Sequence, residues 1–129
     1  MRLLLDTHTL IWAVTEPEKL SERARQLVSD PEHELVVSSV SAVEMSIKAS
    51  RRKLPRLSMP VLAFMQAAVA RLPAVELPLL IAHGAEVELL PDHHRDPFDW
   101  MLIAQARVEG LTLVTNDRKI RLYDVETVW

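Results

Sequence analysis

Short apolar runs of three or four residues recur along the chain at 3–5, 35–37, 75–77, 111–114 and 125–128. Each has strand length and several are bounded by Asp, Asn or Pro, so the pattern predicts buried β-strands. Between them the apolar residues repeat with helical spacing over about 8–15, 21–29, 41–53, 59–72, 79–90 and 97–109. Strands alternating with helices predict an α/β fold: a central, mainly parallel sheet of about five strands, covered on both faces. No linker, low-complexity tract or internal repeat interrupts this alternation, which predicts a single domain over residues 1–129.

Two helix starts are strongly signed. Ser41-Ala-Val-Glu44 matches the capping box, and Asp96-Pro97-Phe98-Asp99 places an acid at the N-cap, a proline at the first helical position and a second acid at the third. Helix ends are marked by Lys48, Arg51, Arg52 and Lys53 and by Gly110 after Glu109. The segment 59–72 breaks the amphipathic rule, because beyond its first turn only Gln66 and Arg71 are polar. Such a helix is expected to be buried on several sides, with a second subunit or a partner protein as part of its cover.

Composition narrows the chemistry. The 129 residues are 49% hydrophobic and 26% charged, with a formal net charge of −3, which suits a compact folded domain and not a disordered chain. With no cysteine, thiolate metal sites, disulfides and thiol nucleophiles are excluded, and a reducing, cytoplasmic compartment is expected. Gly84 and Gly110 are the only glycines, so neither glycine-rich phosphate loop can be written. The opening MRLLLD meets an acid too early for a signal peptide, and no uncharged run reaches the roughly 18 residues of a membrane span.

Taken singly, most of the acids have structural explanations. Glu44 and Asp99 stand at third helical positions, where a carboxylate caps backbone donors, and Asp96 suits an N-cap. Asp117 follows Thr115-Asn116 in what reads as a turn after a strand. Asp6 is the exception, because it ends an apolar strand with no turn residue beside it and is costly to desolvate there. Jointly the placement says more. In a parallel sheet the carboxyl ends of strands and the amino ends of the following helices share one edge, so Asp6, Glu44, Asp99 and Asp117 are expected to face one crevice. Crowded carboxylates need a counter-charge, and an all-oxygen donor set selects Mg²⁺ or Mn²⁺ over zinc.

The histidines show no zinc spacing: His93-His94 precede Arg95 in a polar loop, and His83 with Glu86 is a lone pair three apart. Lys48, Arg51, Arg52, Lys53 and Arg56 crowd five cations into nine residues, which reads either as a solvated helix end or as a phosphate-contacting patch. Trp12, Trp100 and Trp129 read as core or interface, since no aromatic series is evident.

Four stretches together resemble a known family: LLLDTHTLIW, SSVSAVEMSIK, HRDPFDWMLIAQA and LVTNDRKI. In this order they resemble PIN-domain proteins, specifically the VapC-type ribonuclease toxins of type II toxin-antitoxin modules, over nearly the whole chain. The resemblance implies a three-layer α/β/α sandwich, a homodimer, inhibition by a cognate antitoxin, and Mg²⁺-dependent cleavage of structured RNA (tRNA or rRNA), with Mn²⁺ as a substitute. By position, Asp6, Glu44, Asp99 and Asp117 match the family's acidic quartet, as catalytic residues and metal ligands. Asp96 is then a cap or a support behind the ligands, and Thr115 and Asn116 match a turn that orients Asp117 or a water. Arg51, Arg52 and Lys53 are the expected RNA contacts, while Trp100 stands where relatives often carry a basic residue. An antitoxin arginine entering the acidic crevice would displace the metal.

Two rival readings are distinguishable. A phosphotransferase using Asp6 as nucleophile wants a second acid two residues on, where this chain has His8. A non-catalytic PIN-like module that only binds protein or RNA predicts no stabilisation by a divalent metal, which the nuclease reading does.

Overall fold

The computed structural model describes residues 1–50 and 57–129. Arg51, Arg52 and Lys53, and the end of the helix expected over 41–53, therefore lie outside the described residues. The elements run β1 Arg2–Leu5, α1 Thr7–Thr15, α2 Glu22–Ser29, β2 Glu34–Ser38, α3 Ser39–Ser50, α4 Val61–Arg71, β3 Val75–Leu77, α5 Ile81–Glu86, α6 Pro97–Glu109, β4 Thr112–Val114 and β5 Thr127–Val128, with three short 3-10 turns between them. All five strands join one parallel sheet in the order β3-β2-β1-β4-β5. The chain thus winds outward from β1 through β2 to β3, then returns to lay β4 on the other side of β1.

Two apolar clusters explain why the sheet is covered twice. Leu3, Leu5, Leu35, Val37 and Val114 point to one face, where α1, α2 and α4 pack through Leu10, Ile11, Ala24, Phe64 and Ala68. Leu4, Val36 and Leu113 point to the other, against Leu102, Ile103 and Ala106 of α6. Successive strand residues face opposite ways, so a continuous apolar run supplies both clusters at once. Leu3, Leu4 and Leu5 are fully enclosed, and burying a leucine contributes roughly 2 kcal/mol. The three-layer α/β/α sandwich with five parallel strands matches the architecture the sequence implied.

Local signals are honoured unevenly. Asp96 caps α6 by accepting from the Phe98 and Asp99 amides at 2.9 and 3.3 Å, and Gly110 ends that helix in the left-handed region at φ 66°. The capping box at Ser41 does not form, because β2 runs straight into α3 two residues earlier and the Ser38 hydroxyl accepts from the Val40 amide at 3.0 Å. Glu44 is thus an interior helical residue. The apolar helix at 59–72 is shorter than expected and buries only Phe64 and Ala68, leaving Leu62 69% exposed. Among the described residues no helix is long and apolar enough to cross a membrane.

Candidate active site

The strand order reverses between β1 and β4, and open α/β sheets leave a crevice beyond the carboxyl ends of such strands. Asp6 follows β1 directly, and its amide donates to the Val114 carbonyl of β4 at 3.3 Å. With φ −69° and ψ 167° it is also the N-cap of α1, its carboxylate accepting from the Thr9 amide at 2.8 Å. Asp6 therefore has a structural task, as the cap of α1, although no turn residue stands beside it. Thr9 fixes the junction further by donating its hydroxyl to the Val114 carbonyl at 2.9 Å.

Asp6, Glu44, Asp99 and Asp117 line one cavity of about 290 Å³ at this crevice, walled also by His8 and Trp12. Each acid arrives on a different segment: the end of β1, the middle of α3, the first turn of α6 and the turn after β4. Thr115 is fully buried, and its hydroxyl accepts from the Asp117 amide at 3.0 Å. Asn116 lines the same cavity, and Asp117 closes its own turn by accepting from the Lys119 amide at 2.8 Å. Asp96 does not line it. That carboxylate is spent on the α6 cap and faces Lys48 at 3.7 Å.

Glu44 is 3% exposed and is satisfied from two sides. Thr7 donates its hydroxyl to Oε1 at 2.6 Å, and Lys48 donates to Oε2 one helical turn on. Thr7 has one proton to give, so the Ser41 hydroxyl 3.0 Å away must donate to Thr7. A directed chain from Ser41 through Thr7 thus ends on Glu44. Asp99 is held by His94 Nε2 at 2.9 Å from Oδ2, while His94 Nδ1 lies 2.8 Å from the Tyr123 hydroxyl. With Asp99 ionised, Nε2 donates to it, and a neutral His94 ring then accepts from the Tyr123 hydroxyl at Nδ1. Trp100 braces the same loop, its indole donating to the His94 carbonyl at 2.9 Å.

These supports were missed or underread in the sequence. Lys48 stood out only as a helix-end cation, although a lysine four residues after a glutamate is a recognised helical pair. His94 gave no local signal, because its partners Asp99 and Tyr123 meet it only in the folded loop.

Burial pushes the Asp6 carboxyl above the usual carboxylate range, against the hydrogen bonds of Thr115 and Thr9. Burial, with repulsion from Asp96, Asp117 and Glu44 opposed by His94, pushes Asp99 up to about 7. An acid whose folded pKa is raised favours the folded state while protonated and loses that advantage as pH rises from its unfolded pKa through the folded one. In EDTA, Asp99→Asn is therefore expected to gain on the wild type between pH 4 and pH 7, by roughly 10 °C in melting temperature. Parallel melting curves across that range would expose a flat difference and with it an unstrained Asp99.

Among the described residues no three carboxylate or imidazole groups form a finished metal cage, since Lys48 engages Glu44 and His94 engages Asp99. The donor set nonetheless fits a hard divalent cation. Four carboxylates line one small cavity beside the single imidazole of His8, and like charge from Asp96, Asp117 and Glu44 adds to burial in raising Asp99.

The PIN domain family pattern matches residues 3–126. Ribonuclease VapC22 of Mycobacterium tuberculosis is 33% identical over 119 residues, spanning 92% of this chain and 89% of its own. Among solved structures, VapBC2 of Rickettsia felis bound to a promoter DNA fragment superposes with a TM-score of 0.72 at 15% identity, covering 99% of this chain and 98% of that one. FitAcB of Neisseria gonorrhoeae superposes with a TM-score of 0.69 at 17% identity, covering 98% and 96%.

Proposed function

Because this chain belongs to the PIN-domain family, as a member of VapC type, we propose that it is a divalent-metal-dependent endoribonuclease, the toxin of a type II toxin-antitoxin module. The observation that carries the reading is the convergence of Asp6, Glu44, Asp99 and Asp117, from four separate segments, on one cavity at the reversal point of the sheet. Helix capping alone gives no reason for that convergence. The ribonuclease name of the 33% identical relative supports the same reaction class.

Asp6, Asp99 and Asp117, with Glu44, would hold Mg²⁺, or Mn²⁺ in its place. The cation supplies Lewis-acid stabilisation of charge building on the phosphate. The protein's own groups do the rest. Glu44, paired with Lys48 and oriented by Thr7, is placed to take a proton from an attacking water. Thr115 orients Asp117, Asn116 beside it is placed to orient a water, and Asp96, in capping α6, sets the helix turn that carries Asp99. The substrate is a structured RNA, tRNA or rRNA, with the patch of Arg51, Arg52 and Lys53 contacting phosphates. The cavity that selects a cation would equally admit an arginine of a cognate antitoxin. The chain works as a homodimer, for which the exposed apolar side of α4 offers cover.

The test is incubation of purified protein with total RNA in Mg²⁺, in Mn²⁺ and in EDTA, with fragment ends read by sequencing and melting followed in parallel. Defined cuts with either metal and none in EDTA are expected, together with a melting temperature raised a few degrees by metal at saturation. Intact RNA in all three conditions, with no thermal shift, would leave a non-catalytic binding module in its place.

A further inference from the structure

A second, open cavity of about 430 Å³ adjoins the acidic one and has the opposite character. Lys48, Arg95 and Lys119 line it together with His94, and its apolar surface comes from Pro97 and Phe98. Asp96 is the one carboxylate on this wall, and its Oδ1 is occupied by the α6 cap while its Oδ2 faces Lys48. Lys48 is paired with Glu44 and Asp96, but Arg95 and Lys119 enter no ion pair among the described residues, a local positive excess at one opening in a chain of net charge −3 that calls for an anion.

Pairs of contacting side chains separate the two cavities. Lys48 lines the second while its ammonium donates to Glu44 of the first, and it lies 5.8 Å from the centre of the Phe98 ring. His94 lines the second while its Nε2 meets Asp99 of the first. Arg95 and Lys119 are exposed at the opening. An aromatic ring beside a cluster of cations is the pairing that single-stranded nucleic acid uses: the ring takes a base face and the cations take the phosphate. Arginine adds a planar fork matched to phosphate oxygens.

We propose that this cavity is a nucleotide subsite, which holds the phosphate and base next to the bond presented to the four acids. The proposal rests on the nuclease reading for its role, but its binding chemistry is independent of cleavage. Lys48 is the shared element, since a phosphate arriving in the second cavity competes with Glu44 for the same ammonium.

Adenosine 5′-monophosphate and, separately, inorganic phosphate are titrated into the full chain in EDTA, following amide chemical shifts. The wild type is compared with Arg95→Gln/Lys119→Gln, both exposed positions whose substitution should leave melting unchanged. The expected result is saturable binding of the nucleotide, tighter than phosphate, with shifts at Phe98 and Lys48 and at least a 10-fold loss of affinity in the double variant. Equal affinity of the two proteins for the nucleotide, or equal affinity of the wild type for nucleotide and phosphate, overturns the subsite. Because neither metal nor RNA cleavage enters the titration, a protein that binds the nucleotide as described but cuts no RNA in Mg²⁺ retains the subsite and loses the nuclease reading. A protein that cuts RNA yet binds the nucleotide unchanged after the double substitution loses the subsite alone.

Discussion

Asp6→Asn is expected to lower metal-dependent RNA cleavage by at least about 100-fold, the scale on which removal of one preorganised electrostatic group acts, without loss of fold. The amide keeps the size and the capping role of the acid, because its oxygen can still accept from the Thr9 amide and asparagine is as good an N-cap as aspartate. What disappears is a negative charge on the wall between β1 and β4. That charge is costly to the folded chain: the side chain is 7% exposed, and burial raises its pKa. By the same linkage as for Asp99, the ionised Asp6 weakens the apo protein increasingly as pH rises above 4. The variant in EDTA should therefore melt at the same temperature as the wild type near pH 4 and above it at pH 7. Divalent metal should reverse this order by stabilising the wild type preferentially. Cleavage rates in Mg²⁺ and melting curves at both pH values decide the matter. Undiminished cleavage by Asp6→Asn would remove it from the site, and a variant less stable than the wild type at pH 7 in EDTA would reduce it to a cap.

The combination of lower activity and higher apo stability is what separates a functional acid from a structural one, and the sequence hinted at the distinction. The alternation of apolar runs with helical segments carried the layer order, since a parallel strand buried on both faces must be apolar at every position, as Leu3, Leu4 and Leu5 are. The sheet edge shared by Asp6, Glu44, Asp99 and Asp117 followed from that alternation. Their close surroundings did not. The Ser41 capping box was overridden because β2 passes directly into α3, a junction that local propensity does not describe. Thr7, Ser41 and Glu44 belong to two helices whose contact depends on how both cross the sheet. Tyr123 reaches His94 from 29 residues away. Periodicity reports which face a residue takes, whereas hydrogen-bonded support of a site is long-range and leaves no periodic trace.

Lys48→Met is expected to destabilise the protein by about 3 kcal/mol, near the lower end for breaking a buried ion pair because the lysine is 21% exposed. In a domain of this size the loss corresponds to roughly 10 °C in melting temperature. The cause is not loss of packing. Methionine replaces most of the apolar stem, but Glu44 then keeps only the Thr7 bond for a carboxylate that is 3% exposed. Glu44→Gln/Lys48→Met should recover most of the loss, since glutamine still accepts from Thr7 and leaves no buried charge. Burial by itself would lower the Lys48 pKa, but the hydrogen bond and charge of Glu44, with Asp96 and Asp99 behind it, raise it. A lysine with a raised pKa contributes its stability fully below its unfolded value of 10.5 and loses it only as pH climbs through the folded value, so the pair persists across the neutral range. Chemical unfolding of the wild type, both single variants and the double variant at pH 7 gives the coupling directly. Additive losses would mean that Lys48 and Glu44 are independent neighbours. A double variant that is stable but inactive is the expected result: the pair is then dispensable to the fold and is kept for the chemistry of the crevice.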